Sequence, residues 1–309
     1  MTLRHLTRLS FLDKDAAHAI VAHAHARKAG RGGRPRGAPD DDAPLEGHVL
    51  GCIFEKPSTR TRVSFDLAMR QLGGSALTLS AGDLQLGRGE TVEDTARVLS
   101  RYVDGVMIRA LHHETIEAFA AVASVPVING LSDEAHPVQA LADVMTVEER
   151  LGRPVAGTVW AWLGDGNNVA ESLIAAARIF GFELRLACPP QHRPSSLISE
   201  AFGHRVFAAE SPEEAAEGAD VVVTDVWFSM GDERTRSKLA AMQRYQVTPA
   251  LMERAAPHAL FLHCLPAHRG EEVLPEVIDG PMSAVWDEAE NRLHVQKAIL
   301  LWTFNRLAP

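Results

Sequence analysis

Short apolar runs recur along this chain with helix-like segments between them, a rhythm that few folds can satisfy. The first set lies at 49–54, 76–79, 104–109 and 125–128, the second at 158–163, 183–187, 205–208, 220–224 and 259–262. Runs such as Val-Leu-Gly-Cys-Ile-Phe and Thr-Val-Trp-Ala-Trp-Leu do not alternate apolar with polar residues, which marks strands covered on both faces. Repeated strand–helix units with short connections give parallel sheets with helices on either side. The expected fold is therefore α/β: two doubly wound domains with parallel sheets, joined by a bridging helix at 137–151, with the active site in the interdomain cleft. A length of 309 residues also exceeds what one hydrophobic core usually serves. The boundaries fall at 1–136, completed by a C-terminal helix within 289–309, and at 137–288.

Charge and composition remove several classes of function. A net charge of −9 opposes a general nucleic-acid surface, which needs a basic face. No run approaches the ~20 apolar residues of a membrane span, and the first residues, MTLRHLTRLSFLDKD, lack a secretory signal core, so a cytoplasmic protein is expected. Cys52, Cys188 and Cys264 are odd in number and far apart, which suggests neither a disulfide framework nor a zinc site. The alanine-rich helix at 13–29 carries His18, His23 and His25, but no carboxylate or cysteine completes a metal site there. Residues 30–42, GRGGRPRGAPDDD, read as a flexible surface loop.

Within an acidic chain, one segment is conspicuously basic. Residues 54–62, Phe-Glu-Lys-Pro-Ser-Thr-Arg-Thr-Arg, follow the first apolar run and open a helix that ends at Gly73-Gly74. A helix N-terminus offers backbone N–H groups and the positive end of a dipole. Ser58, Thr59 and Thr61 add hydroxyls, and Arg60 can grip two oxygens of a phosphate at once. Four further clusters stand at strand ends or helix starts, where open α/β sheets bind ligands. These are Arg109; His136-Pro-Val-Gln139; Asp225-Val-Trp-Phe-Ser-Met-Gly231; and His263-Cys-Leu-Pro266. Each has a plain structural reading: His136 as a helix cap, Cys264 as a small buried hydrophobe, Asp225 as a turn cap, Arg109 as a surface charge. Their joint placement favours a site.

This set, Ser58-Thr-Arg-Thr-Arg62 with His136-Pro-x-Gln139, Asp225-x-x-x-Ser-Met-Gly231 and His263-Cys-Leu-Pro266, resembles the aspartate/ornithine carbamoyltransferase family, with landmarks from about residue 45 to residue 292. The last two motifs resemble its ornithine-using members. The resemblance implies an enzyme that moves the carbamoyl group of carbamoyl phosphate to the δ-amine of L-ornithine, giving L-citrulline and phosphate. It implies a carbamoyl-phosphate-binding first domain, an ornithine-binding second domain, no metal or organic cofactor, and a homotrimer or multiple of trimers. By the same resemblance Ser58, Thr59, Arg60 and Thr61 hold the phosphate, and Arg109 bridges phosphate and carbonyl oxygen. His136 donates to that oxygen, Gln139 orients the amide, and Arg292 returns from the terminal helix. Gln85 serves the neighbouring subunit's site. Asn168, Asp225, Ser229 and Met230 meet ornithine, while Cys264 and the Leu265 carbonyl stand at the reacting nitrogen. Arg60, Arg109, His136 and Cys264 are the catalytic set.

Carbamoyl transfer is acyl transfer, so donors must face the carbonyl oxygen, cations must support departing phosphate, and the amine must be neutral. Acyl phosphate is already activated, so Cys264 need not form an acyl-enzyme. Other acceptors within the family are aspartate, putrescine and acetylornithine; the Ser229-Met-Gly231 loop favours ornithine. A dinucleotide-dependent oxidoreductase is the rival from another class, because Gly164-Asp-Gly166 resembles half of a G-x-G-x-x-G turn. However, position 169 is valine, and the next strand ends in Cys188-Pro-Pro190 without an acid for a ribose. A non-catalytic binding protein on the same fold would be expected to lack part of the cluster.

Overall fold

The structure is a computed structural model that describes residues 3–80, 82, 89–198, 203–229 and 233–307. It divides into two compact units, Met1–Ala142 with Asn291–Pro309, and Asp143–Glu290.

In the first unit the order is α1 (Lys14–Ala29), β1 (Val49–Phe54), α2 (Thr59–Gln71), β2 (Ser75–Ser80), α3 (Val92–Leu99), β3 (Gly105–Arg109), α4 (His113–Val122), β4 (Val127–Leu131) and the start of α5 (Pro137–Leu151). The strands form one parallel sheet in the order β2-β1-β3-β4. The chain first moves outward from β1 to β2 and then crosses back to β3, so the topological switch point lies between β1 and β3. The core joins Ile53, Val106, Ile108, Ile116, Phe119 and Val127, all buried. Each such side chain contributes about 1.5–3 kcal/mol on leaving water.

The second unit continues α5 and adds β5 (Val159–Leu163), α6 (Asn168–Phe180), β6 (Glu183–Ala187), α7 (Ser195–Ile198), β7 (Val206–Ala208), α8 (Pro212–Ala216), β8 (Val221–Thr224), α9 (Arg236–Met242), α10 (Pro249–Met252), β9 (Leu260–Leu262), α11 (Pro275–Ile278) and the first turns of α12 (Val285–Thr303). Its parallel sheet runs β7-β6-β5-β8-β9, with the switch point between β5 and β8. No helix among the described residues is long and apolar enough to cross a membrane.

The predicted strand positions match closely, and the departures have local causes. β4 runs on through Asn129 and Gly130. Asn129 is fully buried, but its side-chain amide donates to Thr7 O at 2.9 Å and its N–H to Leu6 O at 2.8 Å, so the N-terminal segment takes up donors of a polar residue inside a strand. A Cβ at Gly130 would lie 2.4 Å from Met107 Sδ, which explains the glycine. β2 does not follow the fully buried reading: it is an edge strand with Leu77 47% exposed. α12 begins before 289 and stops at Thr303, because Asn305 takes φ +56° and Arg306 N–H returns to Leu301 O at 2.7 Å.

Residues 30–42 are not the flexible loop that their composition suggests. Arg27 forms paired 2.6 Å contacts with Asp42, Arg31 donates to Asp40 at 3.0 Å and to Ala38 O at 2.8 Å, and Asp40 N–H donates to Gln71 O at 2.7 Å. Glycine and proline frequency reports turn content; it does not report the ion pairs that hold those turns.

Gly166 of the dinucleotide-like turn has a packing role. Gly166 N–H donates to His192 O at 2.8 Å, and a Cβ there would lie 2.3 Å from Pro194 N and 2.6 Å from His192 O. Gly166→Ala is therefore expected to lower the unfolding free energy by about 2 kcal/mol or more, because backbone must move. Gly37→Ala, which would meet nothing within 4 Å, should stay within about 0.5 kcal/mol of the parent. Urea melts of the two variants check this; equal midpoints would refute it.

Candidate active site

At the switch point of the first unit, β1 and β3 place two loops side by side. Phe54 pairs with Arg109, and the β3–β4 register shifts between Ile108 and Arg109. Glu55 locks the loop ends together: its N–H donates to Arg109 O at 2.9 Å, and its carboxylate accepts from Leu111 N–H at 2.7 Å. Three residues further on, Ser58 caps α2, its Oγ accepting from Thr61 N–H at 3.3 Å. The cap reading of this serine and the anion-site reading are compatible, because one side chain takes up only one of the first-turn donors. Thr59 and Arg62 are exposed, Arg60 is half-buried, and Thr61 is buried.

Arg292, 4% exposed, supplies the link to α12. Its Nη2 donates to Thr61 Oγ1 and its Nη1 to Gln139 Oε1, both at 2.8 Å. One guanidinium thus joins the first turn of α2 to the first turn of α5. His136, just before α5, is 2% exposed. Burial, then the positive charges of Arg292, Arg109 and Arg60, push its imidazole well below the ordinary histidine range. His136 is thereby neutral near pH 7 and acts by donating or accepting a hydrogen bond, not as a cation. Three guanidinium groups, a helix N-terminus, Thr61, Gln139 and a neutral imidazole converge. That set suits a phosphate next to a polarisable carbonyl.

The second unit builds its own cluster at the β5/β8 switch point. Asp225 follows β8 and is 7% exposed. Its Oδ2 accepts from Asn167 Nδ2 at 2.8 Å and its Oδ1 from Cys264 Sγ at 3.1 Å. Asn167 also caps α6, accepting from Val169 N–H at 2.9 Å. Asn168, the residue singled out in the sequence, is the first of the helix. Burial, followed by the nearby Asp225 and Glu288 carboxylates, raises the Cys264 thiol well above its ordinary value. The sulfur is a protonated donor to Asp225.

The backbone after Cys264 is held from behind. Leu265 has φ +58°, a costly region for a side chain with a Cβ. Its N–H donates to His263 Nδ1 at 2.9 Å, which leaves the ring proton on Nε2, facing Glu272 Oε1 at 3.3 Å. Burial favours a neutral Glu272, yet hydrogen bonds from His263 and from the His268 backbone keep its carboxyl below the usual range. His263 N–H donates to Glu288 Oε2 at 2.9 Å. Asn167, Glu272 and Glu288 were not singled out in the sequence. Asn167 carried a readable signal, an asparagine just before a helix; the two glutamates carried none, since their partners are fixed by tertiary packing. Ser229 is half-buried beyond β8. Gln85 and Met230 lie outside the described residues.

Two groups of side chains among the described residues have donor atoms spaced for a cation: Asp225, His263 and Cys264, and His268, Glu271 and Glu272. The donors of the first group are already engaged with one another, with Glu272 and with Leu265 N–H. In the second, Glu271 is paired with Arg234 and Glu272 with His263.

Two parallel α/β units with ligand-type clusters at their switch points define a class of two-domain transferases and dehydrogenases; comparison with known proteins decides which. Residues 4–149 match the model of the aspartate/ornithine carbamoyltransferase carbamoyl-P binding domain, and residues 156–303 match that of the Asp/Orn binding domain. The chain belongs to the aspartate/ornithine carbamoyltransferase family. It is 56% identical over 306 residues to an ornithine carbamoyltransferase of Rhizorhabdus wittichii, covering 96% of this chain and 99% of the relative. It is 55% identical over 307 residues to that of Caulobacter vibrioides, covering 98% of each. Among solved structures, the ornithine carbamoyltransferase from Pyrococcus furiosus superposes with a TM-score of 0.89 at 45% identity, over 97% of this chain and 98% of that one. The Burkholderia thailandensis enzyme gives 0.89 at 42%, over 99% and 100%.

The protonated state of Cys264 has a direct chemical consequence. At pH 8 its thiolate fraction lies below that of an ordinary cysteine, so iodoacetamide should label it at least about tenfold more slowly than free cysteine. Mass-spectrometric labelling rates between pH 7 and pH 9 check this, and rapid alkylation at pH 7 would contradict it.

Proposed function

We propose that this chain catalyses carbamoyl transfer from carbamoyl phosphate to the δ-amine of L-ornithine, giving L-citrulline and phosphate. The observation that carries this reading is the buried, neutral His136 beside Arg60, Arg109 and Arg292 at a helix N-terminus. Identities above 50% with ornithine carbamoyltransferases along the full chain support the choice of acceptor. In this reading residues 1–136 with 289–309 bind carbamoyl phosphate, and residues 137–288 bind ornithine.

The first turn of α2, with Ser58, Thr59, Arg60 and Thr61, takes the phosphate. Arg109 spans phosphate and carbonyl oxygen, and Arg292 and Gln139 orient the carbamoyl amide. The δ-amine lone pair attacks the carbonyl carbon and forms the C–N bond, and negative charge collects on the oxygen. Arg60, Arg109 and the His136 N–H, preorganised in a desolvated site, stabilise that charge more than water would. The C–O bond to phosphate then breaks, and the nitrogen loses its extra proton to the departing phosphate. Asn168, Asp225, Ser229 and Met230 hold the amino acid, with Asp225, Cys264 and the Leu265 carbonyl at the reacting nitrogen. A thiol that keeps its proton is a poor nucleophile, which favours direct attack over a carbamoyl-cysteine.

The same reading implies assembly through the first unit as a trimer or a multiple of trimers, with Gln85 serving a neighbouring copy. Leu77 on β2 and Val63 on α2, 47% and 50% exposed in the single chain, are apolar surface that such an assembly would cover.

An acceptor screen with carbamoyl phosphate, read as phosphate release, tests the reaction. Ornithine should turn over at least about a hundredfold faster, as kcat/KM, than putrescine, aspartate or acetylornithine. The rate should rise from pH 7 to pH 9 as the δ-amine, with a free pKa near ~10, loses its proton. A better acceptor than ornithine would overturn the assignment.

Arg60→Ala should lower kcat by about 10²–10³, the effect of losing one oxyanion donor. Lysine should not restore it, because a point charge cannot make the two-pronged contact. A loss of tenfold or less would remove Arg60 from the mechanism.

A further inference from the structure

Lys297 lies in the interior of the first unit with a side chain 0% exposed. Lysine is almost never fully buried unless paired. Here the ammonium has two partners: Asp40 Oδ2 at 2.7 Å and Gln71 Oε1 at 3.1 Å. Asp40 also receives Arg27 at 3.2 Å and Arg31 at 3.0 Å. Burial alone would raise the Asp40 carboxyl, but Lys297, Arg31 and Arg27 hold it below the usual aspartate range, so it is ionised at neutral pH. Gln71 Nε2 donates to Arg36 O at 2.7 Å, which turns its Oε1 toward Lys297. Residues 30–42, α1, α2 and α12 thus meet at one charged centre.

Stability is a weak reason for such a centre, because replacing a whole buried ion cluster by apolar groups of similar volume is often neutral or stabilising, although removing one partner alone is costly. Position gives a stronger one. Gln71 is the last residue of α2, and Thr61 stands in its first turn, roughly 15 Å away along the helix axis at 1.5 Å per residue. Lys297 follows Arg292 on α12. Arg292 holds the Thr61 end of α2, and Lys297 holds the Gln71 end. A third bond, Lys28 Nζ to Asn291 Oδ1 at 2.8 Å, ties the residue before Arg292 to α1, whose Arg27 also grips Asp40. Two attachments along α2 fix the register of α12 in a way that one cannot. The Arg292 guanidinium reaches Thr61 and Gln139 only in that register.

We propose that Lys297, with Asp40 and Gln71, is a positioning device for the carbamoyl phosphate site, setting the register of α12 on α2 so that Arg292 meets Thr61 and Gln139. The inference rests on the carbamoyl-transfer reading, and its test separates the two.

Lys297→Met keeps the length and removes the charge. Asp40 keeps Arg27 and Arg31, so the variant should fold, with a lower thermal midpoint from the broken buried pair. Its KM for carbamoyl phosphate should rise about tenfold, a differential effect of about 1.4 kcal/mol. Its kcat, and KM for ornithine at saturating carbamoyl phosphate, should change by less than about threefold. Inorganic phosphate binding, measured by calorimetry without turnover, should weaken in parallel. Asp40→Asn should raise the same KM and, added to Lys297→Met, should change it no further, because both act through one contact. If Lys297→Met does not fold, Asp40→Asn alone, by KM and phosphate affinity, decides the matter. A folded variant with unchanged KM and phosphate affinity, a uniform loss in every parameter together with a lower melting temperature, or additive effects in the double variant would overturn the inference. A parent that binds phosphate but transfers no carbamoyl group would fail the functional reading instead.

Discussion

The first unit depends on gathering positive charge around one buried imidazole. Arg60, Arg109 and Arg292 all act on the buried imidazole of His136, and each opposes its protonation. Like charges gathered in a region of low dielectric repel strongly. Arg292 gives two of its donors to neutral oxygens, Thr61 Oγ1 and Gln139 Oε1, and these bonds leave its charge in place. A carboxylate in either position would lower the cost of folding and compete with an anionic ligand. Two acids of this unit are engaged elsewhere: Glu55 is turned to the Leu111 backbone, and Asp40 lies at the far end of α2 with Lys297. A dianion arriving at the α2 N-terminus would relieve the repulsion, so ligand binding and the integrity of this unit draw on the same free energy.

The second unit solves the opposite problem. Around Cys264 the charges are negative, from Asp225, Glu288 and Asp143, and after burial itself they keep the thiol protonated. Such a site is poorly made for a thiolate and well made for an amine, whose N–H groups need acceptors. The Asp225 carboxylate is aimed by Asn167 from the other side of the β5/β8 switch point, and the strained Leu265 backbone is aimed by the Leu265–His263–Glu272 chain of hydrogen bonds. In both units the polar side chains of the candidate site therefore stand by the C-terminal ends of strands, and neighbouring residues fix the direction of several of them. Rigid edges of parallel sheets suit acyl transfer, where small errors in donor position are costly.

Much of this was legible in the amino-acid order. Parallel α/β architecture followed from apolar runs that did not alternate, and a basic, hydroxyl-rich segment marked the strand-to-helix junction at α2 as a candidate anion site. Less legible were features that depend on what lies opposite. The exposure of β2 could not be read from Ala-Leu-Thr-Leu, because a strand's place at the edge is a property of the sheet order. Residues 30–42 read as a loose loop because glycine and proline dominate locally; composition does not report the ion pairs from Arg27 and Arg31, and the contact from Lys297 comes from a helix far along the chain.

The sequence by itself determined where certain side chains stand: Arg60, Arg109, His136, Asp225 and Cys264 lie at strand ends or helix starts because local hydrophobic patterning puts them there. Tertiary structure decided their protonation and direction. Whether an imidazole is charged, or a thiol ionised, depends on burial and on charges brought near by distant segments, as Arg292 is brought to His136 and Glu288 to the Cys264 loop. Such energies fall off with distance through space and are indifferent to separation along the chain, so no local reading contains them.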